Sequence, residues 1–335
     1  MGRIRPDEKK KSYYKLFEQI YKSPTMPLHE IEMGTGISRT TISKYMRDMY
    51  ARGILVGPYI EMKPTINYRE YLYLMNFKDP IAVFRKIKGF PHLLAYATCS
   101  GAWNTMVVTD RSLDLSKLVG YQETVYQGAK GCTYTPKVFR ISWDEAFKQS
   151  TEYIDNFIPE SPEDKVRSVA PTLHWEENQW KLFQAFQRNL RQKATPVLRK
   201  TEVRYEAYSW WKRTLRDHCT FHTEFYPDGF HEYTHYCFLL SSDHEESVKT
   251  VFSLFPTTSV MIEVNNQLLV FLKVNSADAT KKMFCTLYQL KAKGMMKGFK
   301  QAITVLDSSN LIPQRSKLEV EIPSKTTESY QGIWI

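Results

Sequence analysis

Two stretches of this chain, REYLYLMNFKD and EYTHYCFLLSSD, share one alternation of apolar and polar residues, and the segments after each run in the same order. IAVFRKIKGFP is matched by EESVKTVFSLFP, and AYATCSGAWNTMVVTD by SVMIEVNNQLLVFLKV. Upstream, SYYKLFEQIYKSPTMP is matched by NQWKLFQAFQRNLRQKATP, and ISKYMRDMY by WWKRTLRDH. The offset is about 165 residues, which marks one structural unit used twice. This duplication restricts the fold more than composition does, because both copies must accept the same architecture.

The elements are legible in the first copy. Tyr13, Leu16, Phe17 and Ile20 recur at helical spacing before Pro24 and Pro27 end the run. A short helix over 28–33, a turn at Gly34-Thr35-Gly36 and a second helix from Ser38 to Arg52 follow. Ser38 suits the N-cap, Ile42, Tyr45, Met46 and Met49 make one apolar stripe, and Gly53 suits the stop. This is a helix-turn-helix. Beyond Gly57-Pro58, YREYLYLMNF reads as a strand, DPIAVFRKIKGF as a helix, and HLLAYATCS and AWNTMVVTD as strands about a turn at Ser100-Gly101. LDLSKLVGYQETVYQ is expected to be a second helix and CTYTPKVFRIS the last strand; SADATKKMFCTLYQLK and MKGFKQAITVLD fill those places in the second copy. The βαββαβ order is that of the ferredoxin-like split unit.

On the second helix, Arg39, Thr40, Thr41, Ser43, Lys44 and Arg47 lie off the apolar stripe near the N-terminal end. Hydroxyls and long cations are the residue types that reach base edges and phosphates when such a helix enters the major groove. A helix face that is merely solvated tolerates the same residues. With Ser38 they are the candidate DNA contacts. In the second copy TEVRYEAYSWWKRTLRDH has no glycine turn and sets Trp210 and Trp211 beside Lys212 and Arg213. Arg204, Lys212 and Arg213 form a second candidate set; the other reading is a unit kept for packing.

GFHEYTHYC contains His231-Glu232-Tyr233-Thr234-His235, the letters of a zinc-protease motif that works only on a helix. The repeat register puts HEYTHYCFLL on the first strand of the second ferredoxin-like unit, after a turn at Pro227-Asp228-Gly229. On a strand, residues four apart stand roughly 13 Å apart, too far to share one zinc. Cys99, Cys132, Cys219, Cys237 and Cys285 include no C-x-x-C pair, which argues against a disulfide framework and a thiolate zinc site. No metal, no cofactor and no catalytic residue is expected.

The formal charge of +10 and a pI near 9.1 point to a polyanionic partner, nucleic acid first. No stretch approaches the roughly 20 apolar residues of a membrane span. The basic start MGRIRPDEKKKSYY lacks the apolar region of a secretory signal, so a cytoplasmic protein with no membrane partner is expected.

TGISRTTISKYMRDMYARGILVG, followed by a unit containing CSGAWNTMVV, resembles the leucine-responsive regulator family (Lrp/AsnC) of bacteria and archaea. The resemblance covers residues 12–141, and the second copy, 178–307, follows by repeat register. It implies a DNA-binding transcription regulator of α+β class with two repeats, each a winged helix-turn-helix followed by a ferredoxin-like effector domain. Because the family dimerises through those domains, two fused copies imply an intramolecular pseudo-dimer. Double-stranded DNA is the implied partner, with a possible small-molecule effector and a homo-oligomer of pseudo-dimers. The effector turn corresponds to Ser100, Gly101 and Asn104, where Asn104 replaces the usual aspartate; Asn265, Asn266 and Leu269 occupy that region in the second copy.

The expected organisation is helix-turn-helix 1 at 1–62, ferredoxin-like domain 1 at 63–145, a linker at 146–177, a divergent helix-turn-helix 2 at 178–226, ferredoxin-like domain 2 at 227–308 and a tail at 309–335. Two alternatives stand beside the regulator. One is an enzyme like the siroheme-decarboxylating branch similar to this family, which also occurs as fused halves; the other is an architectural DNA-binding protein.

Overall fold

The computed structural model describes residues 6–158 and 167–308. The expected tail at 309–335 and residues 159–166 of the expected linker lie outside them. The chain is a mixed α+β protein in which one order of elements runs twice.

The first pass consists of helices α1 (Pro6–Lys22), α2 (Leu28–Thr35) and α3 (Arg39–Ala51), strand β1 (Leu55–Met62), strand β2 (Glu70–Phe77), helix α4 (Pro80–Lys86), strands β3 (Leu93–Gly101), β4 (Thr105–Thr109) and β5 (Tyr121–Tyr134), and helix α5 (Trp143–Asp155). The second consists of α6 (Glu177–Phe186), α7 (Ala194–Thr201), α8 (Tyr205–His218), β6 (Cys219–Phe225), β7 (Thr234–Ser241), α9 (Glu245–Ser253), β8 (Val260–Val264), β9 (Gln267–Val274), α10 (Ala277–Ala292) and β10 (Gly298–Asp307).

Each helical trio closes on its own apolar stripe. Tyr13, Leu16, Phe17 and Ile20 of α1 meet Ile31 of α2 and Ile42, Tyr45, Met46 and Met49 of α3, all buried. Leu182, Phe183, Phe186, Trp211 and Leu215 do the same in the second trio. α2 ends at Gly36, φ 69°, whose N–H donates to Glu32 O at 2.8 Å, the left-handed stop that glycine accepts without strain.

The strands form two four-stranded antiparallel runs, β5-β2-β4-β3 and β8-β9-β7-β10, and these join at both edges into one closed barrel. One seam pairs β3 with β10, including Gly101 with Ala302; the other pairs β5 with β8 from Lys130↔Val264 to Tyr134↔Met261. Leu72, Leu74, Cys99, Val108, Cys237, Leu239 and Leu269, from both runs, fill the interior. The alternate residues of β7, Tyr236, Phe238 and Leu240, face outward into a core with α5, α9 and α10. Closure leaves no free strand edge in the barrel.

β1 and β6 pair antiparallel as a separate ribbon, from Leu55↔Phe225 to Met62↔Cys219. Leu55 and Phe225, at one end, are buried in the first helical core, and Ile60, Met62 and Cys219, at the other, in the second. Both helical units are therefore seated on one ribbon.

Four sequence expectations are corrected. LDLSKLVGYQETVYQ is not a helix: only Leu115–Lys117 make a 3-10 turn, Gly120 takes φ 82°, and β5 begins at Tyr121. Leu115 and Leu118 bury beside Tyr73 and Ile87, so two anchored leucines replace a full helix there. The last strand accordingly ends at Tyr134, before Pro136. Residues 146–155, expected to open a linker, belong to α5, whose Ala146, Phe147 and Ile154 pack into the second unit. Finally, His231 and Glu232 lie in a 3-10 turn, Phe230–Glu232, and the strand starts only at Thr234.

Candidate functional site

α3 presents a continuous polar face. Ser38, Arg39, Thr40, Ser43, Lys44 and Arg47 are exposed, Thr41 is half-buried, and Arg39, Thr40, Ser43, Lys44 and Arg47 line one open concave surface. The apolar stripe holds the opposite side in the core, which fixes this face outward. Ser38, at the N-cap, spends its hydroxyl on Thr41 Oγ1 at 3.0 Å rather than on the helix backbone. Arg39 Nε pairs with Glu32 at 3.0 Å, while Lys44 and Arg47 make no ion pair among the described residues.

The second trio reproduces the geometry without its glycine. Glu202 takes φ 58° directly after α7, the place Gly36 holds after α2, and in both units the next helix begins three residues on. Arg204 is the exposed N-cap of α8, and Lys212 and Arg213 are exposed without ion-pair partners among the described residues. The adjacent tryptophans divide: Trp211 is fully buried and Trp210 is 44% exposed. The two cationic faces belong to units seated at opposite ends of the ribbon, so they form two surfaces rather than one.

The turn of Ser100, Gly101 and Asn104 is taken up by the barrel itself. A Cβ on Gly101 would stand 2.4 Å from Gln301 O and 2.6 Å from Ala302 Cα, so glycine is required for the β3–β10 seam. Asn104 clamps the end of β2: its Nδ2 donates to Phe77 O at 2.7 Å and its Oδ1 accepts from Phe77 N at 3.0 Å. An aspartate would lose the donor and set a carboxylate against a carbonyl, which explains why an amide fits here. Ser100 is exposed.

A charged layer that sequence reading missed lies between the ribbon and the barrel. Lys130 Nζ, nearly buried, sits 2.9 Å from both Glu61 on β1 and Glu70 on β2, and Thr133 donates to Glu61 at 2.6 Å. Burial opposes charge on Lys130, but Glu61 and Glu70 outweigh it and hold the ammonium well above its ordinary range. Burial likewise works against the Glu61 carboxylate, yet Lys130, then His222, carry it down to about 2. His222 is buried between Thr135 and Thr220, and burial lowers its basicity. On the other strand of the ribbon, Glu224 accepts from Tyr59 Oη at 2.6 Å and from Tyr226 Oη, and Lys273 approaches it to 3.8 Å.

The HEYTH histidines do not converge. His231 is exposed, and His235 sits with Nε2 3.1 Å from Phe230 O and its ring 4.2 Å from the Phe230 ring. Among the described residues no group of three or more His, Cys, Asp and Glu side chains is arranged to hold a metal ion. A wide open cleft of about 1070 Å³ lies between the start of β2 and α6, with Arg69, Arg111 and Arg188 exposed on it and Trp180 in its wall.

The chain's likeness is to a siroheme decarboxylase. The crystal structure of the siroheme decarboxylase NirDL matches at 11% identity and a TM-score of 0.45, over 88% of this chain and 91% of that one. The same enzyme in co-complex with an iron-uroporphyrin III analogue matches at 9% identity and a TM-score of 0.40, over 88% and 92%. No family model and no curated protein matches.

The signal for the missed layer is visible in hindsight as charges set in apolar strands: Glu224 in FHTEFY, Lys273 in LVFLKV and Glu61 in PYIEM. What the strings do not reveal is that their inward faces meet.

Proposed function

We propose that this protein is a DNA-binding transcription regulator built as an intramolecular pseudo-dimer. In this reading each helical trio with its ribbon strand is a winged helix-turn-helix, and each four-stranded run with its helices is a ferredoxin-like domain, the first with a 3-10 turn in place of its second helix. The observation that carries the reading is the α3 face, where Thr40, Ser43, Lys44 and Arg47 stand exposed on one concave surface and both cations lack ion-pair partners among the described residues. Such a face supplies phosphate contacts for affinity and hydroxyls for base edges. The exposed Arg204, Lys212 and Arg213 on the second unit support a second contact, so two half-sites would be read from one chain.

Selection of bound fragments from genomic DNA, followed by fluorescence anisotropy across salt concentrations, tests this. A recovered motif is expected. Arg39→Ala/Lys44→Ala should weaken binding on the order of 10- to 100-fold and reduce the salt slope by about 1.8. Both side chains are exposed, so the melting temperature should not move. Unchanged binding by the folded double variant would remove α3 from the assignment; binding without a motif would leave an architectural role.

A second reading, an enzyme acting on the carboxylates of a tetrapyrrole, has one observation in its favour. The 1070 Å³ cleft sets Arg69 and Arg188 beside an aromatic wall, with Arg111 paired to Asp110 and with Glu61 and Glu70 held by Lys130, which leaves two arginines to meet the carboxylates of a large ring. A strong absorbance band near the visible edge in the purified protein, together with no DNA binding, would favour it.

A further inference from the structure

Where the apolar interior of the barrel ends, the β1–β6 ribbon lies across its mouth and encloses a cavity of about 180 Å³. The inner face of β9 runs Leu269, Phe271, Lys273, so the lysine is the last inward residue before the mouth. Lys273 is 6% exposed, and its Nζ lies against the rings of Tyr226, at 5.3 Å, and Phe230, at 5.8 Å. Its approach to the Glu224 carboxylate, 3.8 Å, is beyond hydrogen-bond reach, and it makes no hydrogen bond among the described residues. The Glu224 oxygens already accept from Tyr59 and Tyr226. A buried ammonium with three unspent donors is costly unless the cavity holds an acceptor.

The lining narrows what that acceptor can be. Glu61, Glu224 and Asp307 stand against Lys273, so the wall is formally net negative and repels an anion. Burial lowers the basicity of His235, which adds no compensating positive charge. The Glu61 carboxylate is closed by Lys130 and Thr133, Glu224 by its two tyrosines, and Asp307 has a partner of its own, which leaves a cation poorly served. An alcohol oxygen accepts as a carbonyl does, but its own O–H must then find an acceptor, and the carboxylates of the wall are already engaged. Val56, Met106, Val260 and Phe271 make the rest of the wall apolar. At about 30 Å³ per water, the space equals roughly six waters.

We propose that this cavity binds a small neutral carbonyl compound, whose oxygen accepts a hydrogen bond from Lys273 and whose hydrocarbon part lies on Val56, Met106, Val260 and Phe271. The proposal stands on the lysine and the cavity and does not depend on the DNA reading. Titration of the full chain with straight-chain 2-ketones of increasing length, followed by calorimetry and thermal melting, tests it, with matched carboxylates and primary alcohols alongside.

Saturable ketone binding is expected, tightening with each added methylene until the cavity is full and stronger than for either matched series. Lys273→Met removes the charge and should weaken ketone binding by about tenfold or more. Met106→Phe leaves the lysine in place and should shorten the longest ketone accepted. The proposal is overturned if no ketone saturates the wild-type chain, if carboxylates bind as tightly as ketones, or if folded Lys273→Met binds ketones unchanged.

Discussion

Glu202 shows how one residue can hide a motif. Its left-handed conformation, φ 58°, repeats that of Gly36 but with a side chain, which costs about 1 kcal/mol or more relative to glycine. Because Glu202 is exposed, Glu202→Gly should stabilise the protein by about 1 kcal/mol, measured as a rise in the urea midpoint with unchanged slope. No gain would mean that the side chain offsets its backbone strain. The absent glycine made the second turn illegible in the sequence, although the three-residue offset to the next helix is the same in both copies. Asn104 is the converse case: the residue was legible as an amide in a turn, but its reason, a two-way clamp on Phe77, needed the neighbouring strand.

At the scale of elements, the ribbon is tied to the barrel by the Glu61–Lys130–Glu70 bridge. Burial disfavours the Glu61 carboxylate but Lys130 outweighs it, so the folded state binds the Glu61 proton only near pH 2, against an ordinary value of 4.5. A depressed carboxyl contributes stability that is fully present above pH 4.5 and is lost as pH falls toward 2. The wild type should therefore be less stable to urea at pH 3 than at pH 7. Lys130→Met leaves two carboxylates facing each other without their cation, which should destabilise the fold at pH 7 by roughly 3 kcal/mol or more. It should also flatten the acid dependence relative to wild type, because protonation then relieves the repulsion. A Lys130→Met variant that loses as much stability between pH 7 and pH 3 as the wild type would show that the bridge does not hold the ribbon.

For the whole molecule, closure of the barrel makes the two halves interdependent. β3 and β5 find their outer partners in β10 and β8, both helical units share one ribbon, and α5 of the first half packs into the second. Unfolding should accordingly be one transition, with circular dichroism and tryptophan fluorescence coincident across a denaturant titration. Trp103, in the barrel core, and Trp211, in the second helical core, are both fully buried, so fluorescence reports on both regions. Two separated transitions would show that the halves fold independently and that the seams contribute little.

The mixed α+β class, the first helical trio, the α3 face and most strands were determined by the sequence alone, because periodicity and turn residues act within a few positions of each other. The sequence misled where local pattern and context disagreed. LDLSKLVGYQETVYQ has helix-like apolar spacing, yet Leu115 and Leu118 are anchored by the core and Gly120 releases the chain into β5. HEYTH has a motif's letters, but its first two residues form a turn against Gly53 and Arg52 and only the last two enter the strand. The closed barrel, the shared ribbon and the charged layer with its cavity were decided by tertiary structure. They arise from pairs tens of residues apart within each half, such as Glu61 with Lys130 and Glu224 with Lys273, and from strand pairings between the halves, such as β1 with β6 and β3 with β10, none of which is local in sequence.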